Sequence, residues 1–414
     1  MRVENLTTRK NEDRFRVSAT MIWEDRDRPS QEIFFETTSD FADDLSCNPH
    51  AFLVGTVITA LRFGERRIAI DADICPQLLE GLFTIMSWFR HWEGLNLPLV
   101  EIEARSQISI QNSQKPKNAA VCYSGGIDSL ATLRNNRLRF SLSHPRSFKD
   151  GLLIHGIANT TLEGYEKAVQ RLSPVADDAG ITLIPIYTNT YHCVQDLEDS
   201  NYTFLRYYLT SAALSAVGHA FHKRLSSLSI SASDDVRTLT LSLWGTNPVL
   251  DPNYSSYDFQ IHYADVALSR LEKTRLVAGW DIALQNLRVC NELHLPIGYL
   301  NCGMCRKCMI TMTTLCALGV LDKTNVFPRK DISKALLLDR GRSQFPDEID
   351  CYSDLIPLFK EQGRDDLVKG TEQLVSQFYQ RYALKEFDQQ YFNGVFYKLY
   401  QSIQKKKITQ RERV

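Results

Sequence analysis

The stretch Ala119-Ala-Val-Cys-Tyr-Ser-Gly-Gly-Ile-Asp-Ser-Leu-Ala-Thr-Leu133 decides the fold that the sequence predicts. It begins with apolar residues that suit a buried strand, and Leu130, Leu133 and Leu138 follow at helical spacing. Between them, two glycines allow a tight turn and a close approach of the backbone to a ligand. The N–H groups of the turn and of the helix start then form an anion site, which the helix dipole strengthens. We therefore predict a strand, a phosphate-binding loop and a helix, with the binding residues Ser124, Gly125, Gly126, Ile127, Asp128 and Ser129.

The side chains of this loop suit phosphate binding. Ser124 and Ser129 add hydroxyl donors, and Asp128 is a candidate to hold a cation or to orient the phosphates. The alternative is an ordinary strand-to-helix turn, in which Gly-Gly and a capping Asp or Ser are common. The number of matching positions in Ser-Gly-Gly-Ile-Asp-Ser favours the binding loop. No Gly-Lys-Ser/Thr follows, so the kinase-type phosphate loop is excluded.

The composition of the 414-residue chain is that of a globular protein with two or three domains. The net charge is −1, so the charge balance gives no reason to expect a nucleic-acid partner. Residues 1–10 are polar and no apolar run is long enough to cross a bilayer, so we expect neither a secretory signal nor a membrane anchor. Without a signal, the ten cysteines indicate reduced thiols and a cytoplasmic location.

Residues 1–112 precede the loop and lack its alternation of strands and helices. Their patterns predict a separate α+β domain of unknown role, with strands and helices at Arg14–Trp23, Gln31–Glu36, Phe52–Leu61 and Leu78–Phe89. The polar segment Gln111–Lys117 is the predicted linker to the next domain.

From residue 118 onward, strand and helix patterns alternate, which predicts a doubly wound parallel sheet in a catalytic domain spanning 118–322. The later strands are expected at Gly151–Ala158, Ile181–Tyr187 and Ser227–Ala232. Ligands on such sheets bind at the carboxyl ends of the strands. The loop at 124–129 is therefore expected to lie beside the residues that end these strands, Ala158–Asn159, Tyr187–Thr188 and Asp234–Asp235.

Four charged residues are candidates to act at this edge of the sheet. Asp234 and Asp235 could hold an Mg²⁺ ion shared with a triphosphate, or could cap a turn. Lys273 or Arg270, on a helix predicted from residue 268, could neutralise charge as pyrophosphate leaves, or could be solvated.

The segment Trp244–Tyr257 is long, aromatic and rich in Pro and Asn. Loops of this length inside a domain are usually functional or disordered, and the aromatic content argues against disorder. The segment is predicted to be a substrate-binding flap, with Trp244 or Tyr254 offering an apolar face, or else a packed surface loop.

A cysteine cluster provides the second strong pattern. Cys302-Gly-Met-Cys305-Arg-Lys-Cys308 places three thiols on a knuckle, and Cys290 supplies a fourth from an adjoining segment. Four sulfur ligands favour a tetrahedral structural Zn²⁺ site with no open position. An iron–sulfur cluster is the alternative, but the bacterial ferredoxin spacing fails because the next cysteine is Cys316.

Residues 323–414 are predicted to be a helical region that caps the catalytic domain or forms a homo-oligomer contact. Four helices are expected, at Ile332–Leu338, Tyr352–Gln362, Leu367–Tyr382 and Phe387–Gln404. The basic tail Lys405–Arg413 is interpreted as a frayed helix end rather than an RNA-contacting arm.

The order of these parts resembles that of the ATP pyrophosphatase superfamily and, within it, of the 7-cyano-7-deazaguanine synthase family. The resemblance covers about residues 118–320 and rests on the Ser124–Ser129 loop and on the cysteine knuckle. It implies a fold like that of the adenine nucleotide alpha hydrolases, with ATP, Mg²⁺ and Zn²⁺ as cofactors. It also implies catalytic roles for Asp128, Asp234 and Lys273, and Zn²⁺ ligation by Cys290, Cys302, Cys305 and Cys308.

The activity implied by the resemblance is that of an ATP-dependent ligase. Members of this family adenylate a small-molecule carboxylate on a 7-deazaguanine, release pyrophosphate, and form an amide and then a nitrile. The family's Tyr-Pro-Asp-Cys-Arg segment is missing here, and residues 1–112 and 323–414 have no counterpart, so the acceptor stays open. Longer relatives are similar to proteins of bacterial anti-phage defence operons, in which a partner protein can be the acceptor. The alternatives are a tRNA thiolase of the same superfamily and a non-catalytic nucleotide-binding subunit.

Overall fold

In the computed structural model, the chain forms two compact units, Met1–Asn301 and Cys302–Val414. The structure describes residues 1–94, 98–106, 117–156, 161–191, 208–239, 245–290, 292, 295–343 and 345–396. Several sequence predictions fall outside these residues, namely those for Ala158–Asn159, Trp244, most of the linker and the basic tail.

The first unit is built on one ten-stranded, mostly parallel sheet. The strands found among the described residues are β1 (Arg2–Asn11), β2 (Arg14–Ile22), β3 (Gln31–Thr38), β4 (Arg67–Ile74), β5 (Glu101–Ser106), β6 (Asn118–Cys122), β7 (Phe148–His155), β8 (Thr182–Thr188), β9 (Leu225–Ser231) and β10 (Gln260–Ala264). Their order across the sheet is β10-β9-β6-β7-β8-β3-β2-β1-β4-β5.

The strands β6 to β10 are parallel, and the glycine loop follows β6, the middle strand of this group. β6 lies between β7 and β9, so the chain first proceeds to β7 and β8 on one side and then crosses to β9 and β10 on the other. Such a reversal of strand order opens a crevice at the carboxyl ends of the strands, which is where ligands bind in sheets of this kind. The predicted α/β class with a parallel sheet is confirmed, and the loop at 124–129 follows the strand at which the order reverses.

The strands β1 to β5 extend the same sheet rather than forming one of their own. β3 pairs with β8 in antiparallel orientation, with Phe35 opposite Thr188. The Thr37 hydroxyl donates to the carbonyl of Pro185 at 2.7 Å and so adds a side-chain bond to this pairing. The boundary predicted at residue 112 thus differs from the observed division of the chain, which falls at residue 301. Pairing between strands about 150 residues apart leaves no change of composition in the sequence that would reveal it.

Helices cover the sheet of the first unit. They are α1 (Pro49–Arg62), α2 (Pro76–Glu93), α3 (Ile127–Arg139), α4 (Leu162–Ala179), α5 (Thr210–Ala220), α6 (Arg270–Ala278) and α7 (Asp281–Leu284). α1, α2 and α5 share one hydrophobic core with the sheet, and α1 is buried continuously from Ala51 to Leu61. α3 and α4 pack on β6, β7 and β8 and flank the loop that follows β6.

The second unit is helical in the part that the structure describes. Its helices are α8 (Arg306–Ala317), α9 (Lys334–Arg340), α10 (Pro346–Ser353), α11 (Ile356–Glu361) and α12 (Asp365–Phe392). The single helix predicted at Tyr352–Gln362 is in fact two helices, α10 and α11, because the chain turns at residues 354–355. Conversely, α12 is continuous through residues 383–386, where the sequence predicted a break.

Candidate functional site

The loop after β6 adopts a conformation that requires glycine at one position. Gly125 has a φ of +75°, and a Cβ atom at that residue would lie 2.7 Å from a methyl carbon of Leu172. Leu172 is fully buried and cannot easily move away. Gly126 is less constrained, since the nearest atom to its Cβ would be the Ser124 Oγ at 3.6 Å. A side chain at Gly125 would therefore be strained both by the backbone and by packing.

Helix α3 begins at the loop with an uncapped N-terminus. Gly126 is its N-cap residue, and among the described residues no side chain caps this end of the helix. The Ser129 hydroxyl donates to the Gly126 carbonyl at 3.2 Å and lies 3.2 Å from the Ser124 Oγ. The N–H groups of Ile127, Asp128 and Ser129 come before the first intrahelical hydrogen bond. Together with the helix dipole they form an arrangement that binds anions.

Two basic side chains of α6 reach the aspartate of the loop. Arg270 donates to the Asp128 Oδ1 at 2.8 Å and to the Ser233 carbonyl at 3.0 Å. The Lys273 Nζ donates to the Ala232 carbonyl at 2.7 Å and lies 3.9 Å from the Asp128 Oδ1. Lys273 is only 1% exposed, and burial lowers its pKa although Asp128 raises it. The structure thus brings Asp128, Arg270 and Lys273 together where β6 and β9 end.

The adjacent carboxylates of Asp234 and Asp235 have different surroundings. Asp235 accepts hydrogen bonds from the N–H groups of Arg237 and Thr238 at 2.8 and 3.2 Å, and from the Arg237 guanidinium at 2.8 Å. Burial alone would raise the pKa of Asp235, but these hydrogen bonds lower it below its usual value. Asp235 therefore caps the turn, which was the alternative to a metal-binding pair. Asp234 lies near enough to Lys273 for its charge to raise the pKa of that lysine.

Two arginines that the sequence did not single out lie near the loop. The Arg288 N–H donates to the Gly125 carbonyl at 3.1 Å. Arg171, beside the Leu172 that packs on Gly125, donates a guanidinium N–H to the Asn286 carbonyl. Burial and the nearby charge of Arg288 lower the pKa of Arg171 to about 10. No sequence signal could have identified them, because an arginine in an amphipathic helix or in an irregular segment is usually a solvated surface residue.

The described part of the predicted flap, residues 245–257, is packed. Tyr254 is fully buried and offers no apolar face to a substrate, so the flap prediction is wrong for this residue. Asp251 is also fully buried, and its Oδ1 accepts hydrogen bonds from the Asn247 N–H at 3.0 Å and from the Ser211 hydroxyl. Its Oδ2 accepts no hydrogen bond from any residue that the structure describes. Burial raises the pKa of Asp251 to about 7.

This carboxyl group predicts a pH dependence of stability that Asp251→Asn should remove. Because the pKa of Asp251 is higher in the folded chain than in the unfolded chain, the folded state keeps its proton while the unfolded state loses it. The stabilisation is present below the unfolded pKa and is lost as pH rises through about 7. The free energy of unfolding should fall by on the order of 3 kcal/mol more in the wild type than in Asp251→Asn between pH 5 and pH 8.

Urea denaturation of both proteins at a series of pH values measures this difference. The asparagine keeps an oxygen acceptor for Ser211 and Asn247, so the comparison isolates the titration. Parallel pH profiles for the two proteins would show that Asp251 titrates as an ordinary carboxyl group.

The four cysteines of the predicted knuckle form a candidate metal centre. Their Sγ atoms, from Cys290, Cys302, Cys305 and Cys308, all lie within 4.8 Å of one another. The N–H groups of Met304 and Cys305 donate to the Cys302 Sγ at 3.4 and 3.2 Å. Four converging sulfur atoms fit a metal such as zinc. The predicted ligand set is therefore assembled by the fold, and Zn²⁺ remains the ion that suits it best.

The segment that carries Cys290 also contacts the glycine loop. The side-chain oxygen of Asn301 accepts from the N–H groups of Val289 and Cys290 at 2.8 and 3.1 Å, and its Nδ2 donates to the Leu287 carbonyl at 2.9 Å. Asn301 is fully buried, so these bonds fix the backbone around Arg288, whose N–H bonds to the loop. Cys290, a candidate metal ligand, thus lies two residues from a direct contact with the loop.

Comparisons with protein-family models, with curated proteins and with solved structures found no match to this chain. Among the residues that the structure describes, none of the helices combines the length and the apolar character that crossing a membrane requires.

Proposed function

We propose that the chain is an ATP-dependent ligase of the ATP pyrophosphatase type, which adenylates a carboxylate and then joins it to nitrogen. The observation that carries this proposal is the position of the glycine loop. The loop follows the strand at which the strand order reverses, and no described side chain caps the start of the helix after it. An anion site at such a crevice suits a triphosphate. The neighbouring cations Arg270 and Lys273 support the same interpretation.

The residues of the loop have distinct roles in this proposal. The backbone amides at Gly125 and Gly126 and the hydroxyls of Ser124 and Ser129 bind the two outer phosphates of ATP. An oxygen of the substrate carboxylate attacks the innermost phosphorus, whose bond to the bridging oxygen breaks, and pyrophosphate leaves. The ammonium group of Lys273 stabilises the charge that develops in this step.

The second step forms the product. A nitrogen nucleophile attacks the acyl carbon of the adenylate, the bond from that carbon to the AMP oxygen breaks, and the nitrogen loses a proton to water.

The carboxylates of Asp128 and Asp234 are oxygen ligands of the kind that Mg²⁺ prefers, and a Mg²⁺ ion bound with ATP would neutralise phosphate charge. We propose a 7-deazaguanine carboxylate as the substrate class, and ammonia or an amino group of a partner protein as the nitrogen source.

The nucleotide products test this function. The protein is incubated with ATP, MgCl₂, ammonium chloride and a 7-carboxy-7-deazaguanine, and the nucleotides are separated by chromatography. We expect AMP and pyrophosphate in equal amounts, together with an amide detected by mass spectrometry. Formation of ADP would contradict the proposal. ATP binding without turnover, even when co-purified partner proteins are added, would instead favour a non-catalytic subunit.

The tRNA thiolase alternative is less well supported. A thiolase of this superfamily needs a reactive cysteine or a cluster, and Cys122, directly before Tyr123 and the loop, is the nearest thiol in the described sequence. Burial raises the pKa of Cys122 far above its usual value, with a smaller contribution from Asp251. A thiol that resists ionisation is a poor nucleophile.

A further inference from the structure

We propose that Arg171 and Arg288 form a receiving site for the two outer phosphates of ATP, and that this pair retains pyrophosphate after the nucleotide is cleaved. The inference rests on the proposed function and adds to it two residues that no feature of the sequence assigned. It assigns Arg171 and Arg288 to the leaving pyrophosphate, whereas Arg270 and Lys273 serve the reacting phosphate.

Both arginines belong to segments that contact the loop. The backbone N–H of Arg288 donates to the Gly125 carbonyl at 3.1 Å. Arg171 lies on α4 next to Leu172, whose methyl carbon would be 2.7 Å from a Cβ at Gly125. The Tyr123 hydroxyl also donates to the Leu172 carbonyl, at 3.3 Å. The Arg171 guanidinium donates to the Asn286 carbonyl, two residues before Arg288, so the two arginines lie close together beside the segment that contacts the loop.

Among the described residues, Arg171 and Arg288 have no carboxylate partner. In the part of the chain that the structure describes, neither guanidinium forms an ion pair with a carboxylate, although Arg270 pairs with Asp128 at 2.8 Å. The two arginines lie near enough for the charge of Arg288 to disfavour the charged form of Arg171. Both side chains are half-buried, where repulsion between like charges is weakly screened. Two like charges held close together are unfavourable, and a bound anion would compensate them.

The chemistry of the pair favours phosphate groups over the other parts of the substrates. A guanidinium group binds phosphate through two parallel N–H···O bonds, and two guanidinium groups can neutralise much of the charge of pyrophosphate. Neither the adenine ring nor a single carboxylate requires two cations. Arg270 is already bonded to Asp128 and Lys273 lies beside it, so these cations are better placed for the reacting phosphate.

The test compares the binding of inorganic pyrophosphate and AMP by isothermal titration calorimetry in the presence of MgCl₂. Arg288→Gln should weaken pyrophosphate binding roughly 10- to 100-fold, the equivalent of one or two charge-assisted hydrogen bonds. AMP binding should change less than about twofold, since the residue does not contact that part of the nucleotide. Arg288→Lys should retain part of the pyrophosphate affinity because it keeps the charge.

Two controls separate this inference from a structural role. Arg139→Gln alters an exposed arginine on α3, the helix that the loop begins, and should leave pyrophosphate binding unchanged. Without ligand, Arg288→Gln should melt at the same temperature as the wild type or higher, because a repulsion has been removed. A lower melting temperature with weaker binding of both ligands would assign Arg288 to the fold and overturn the inference.

The remaining outcomes distinguish this inference from the proposed function. If the wild type and Arg288→Gln bind pyrophosphate equally well, the arginine pair is not the receiving site, while the proposed function stands. If the wild type binds neither pyrophosphate nor AMP, both the receiving site and the proposed function are wrong.

Discussion

Replacement of Lys273 by methionine is expected to slow pyrophosphate release from ATP by about 10²- to 10³-fold, the effect of removing one preorganised charge from an active site. Lys273 lies on α6, is 1% exposed, and its Nζ is 3.9 Å from the Asp128 Oδ1. Its hydrogen bond to the Ala232 carbonyl, at 2.7 Å, fixes the ammonium group where β9 ends. A charge that is already oriented and partly desolvated stabilises a transition state better than water does.

The rate of pyrophosphate release at saturating ATP is the measurement, with the dissociation constant of ATP determined separately. Methionine has a similar volume and removes only the ammonium group, so the fold should persist. It leaves the Ala232 carbonyl without this donor, which we expect to destabilise the protein by roughly 1–3 kcal/mol. Circular dichroism and the melting temperature show whether the variant is folded at the assay temperature.

Arg275→Gln provides the matched control, because it removes a cation from an exposed position on the same helix. It should release pyrophosphate at the wild-type rate. If Lys273→Met retained this rate while folded, Lys273 would serve the structure only, as a buried donor to the end of β9. A loss of ATP binding without a change in the maximal rate would assign the lysine to ground-state binding.

The parts of this protein that the sequence predicted are those encoded by local patterns. The run from Ala119 to Leu133 combines an apolar strand, two glycines and helical spacing, and the structure contains the corresponding β6, loop and α3. The cysteine spacing likewise predicted the one group of four sulfur atoms found in the described residues. Both patterns are short, so the geometry they specify depends little on the rest of the chain.

The features that the sequence did not predict depend on contacts between distant segments. The strand β3 pairs with β8, about 150 residues further along the chain, so the first strands and the strands around the glycine loop belong to one sheet. Tyr254 is buried because it packs in the core. The sequence alone could not predict this, because an aromatic residue in a long polar segment can be either buried or exposed. Asp234 and Asp235 differ in their hydrogen bonding, because the chain turns so that the N–H groups of Arg237 and Thr238 donate to the Asp235 carboxylate.

Loss of the metal is expected to have the largest effect on stability. We expect the purified protein to contain one zinc ion per chain and no iron, and Cys308→Ser to lose that ion. Cys308 is fully buried, and its Sγ lies 3.8 Å from that of Cys302. Structural zinc contributes on the order of 10 kcal/mol to small zinc-binding peptides, and we expect roughly half of this in a larger chain with its own core.

Metal analysis of the variants and thermal unfolding measure these effects. For a chain of 414 residues, a loss of about 5 kcal/mol corresponds to a melting temperature lower by roughly 6 °C. Cys47→Ser is the control, because the Cys47 thiol donates to the Thr7 carbonyl, at 3.6 Å, and does not belong to the group of four. Iron with a visible charge-transfer band would identify a cluster instead, and an unchanged melting temperature after removal of zinc would exclude a structural metal.

Cys308→Ser should also weaken the binding of pyrophosphate, although none of the four cysteines contacts the glycine loop in the proposed function. The backbone N–H groups of Val289 and Cys290 donate to the Asn301 side chain. The preceding residue, Arg288, donates its N–H to the Gly125 carbonyl. Without a metal ion, Cys290 would have no metal–sulfur bond to fix its position. The hydrogen bond between the nearby Arg288 N–H and the Gly125 carbonyl would then be less firmly held. Cys308→Ser should therefore bind pyrophosphate more weakly even at temperatures where it is folded. Equal affinity in the folded variant would show that Asn301 alone is sufficient to position this segment.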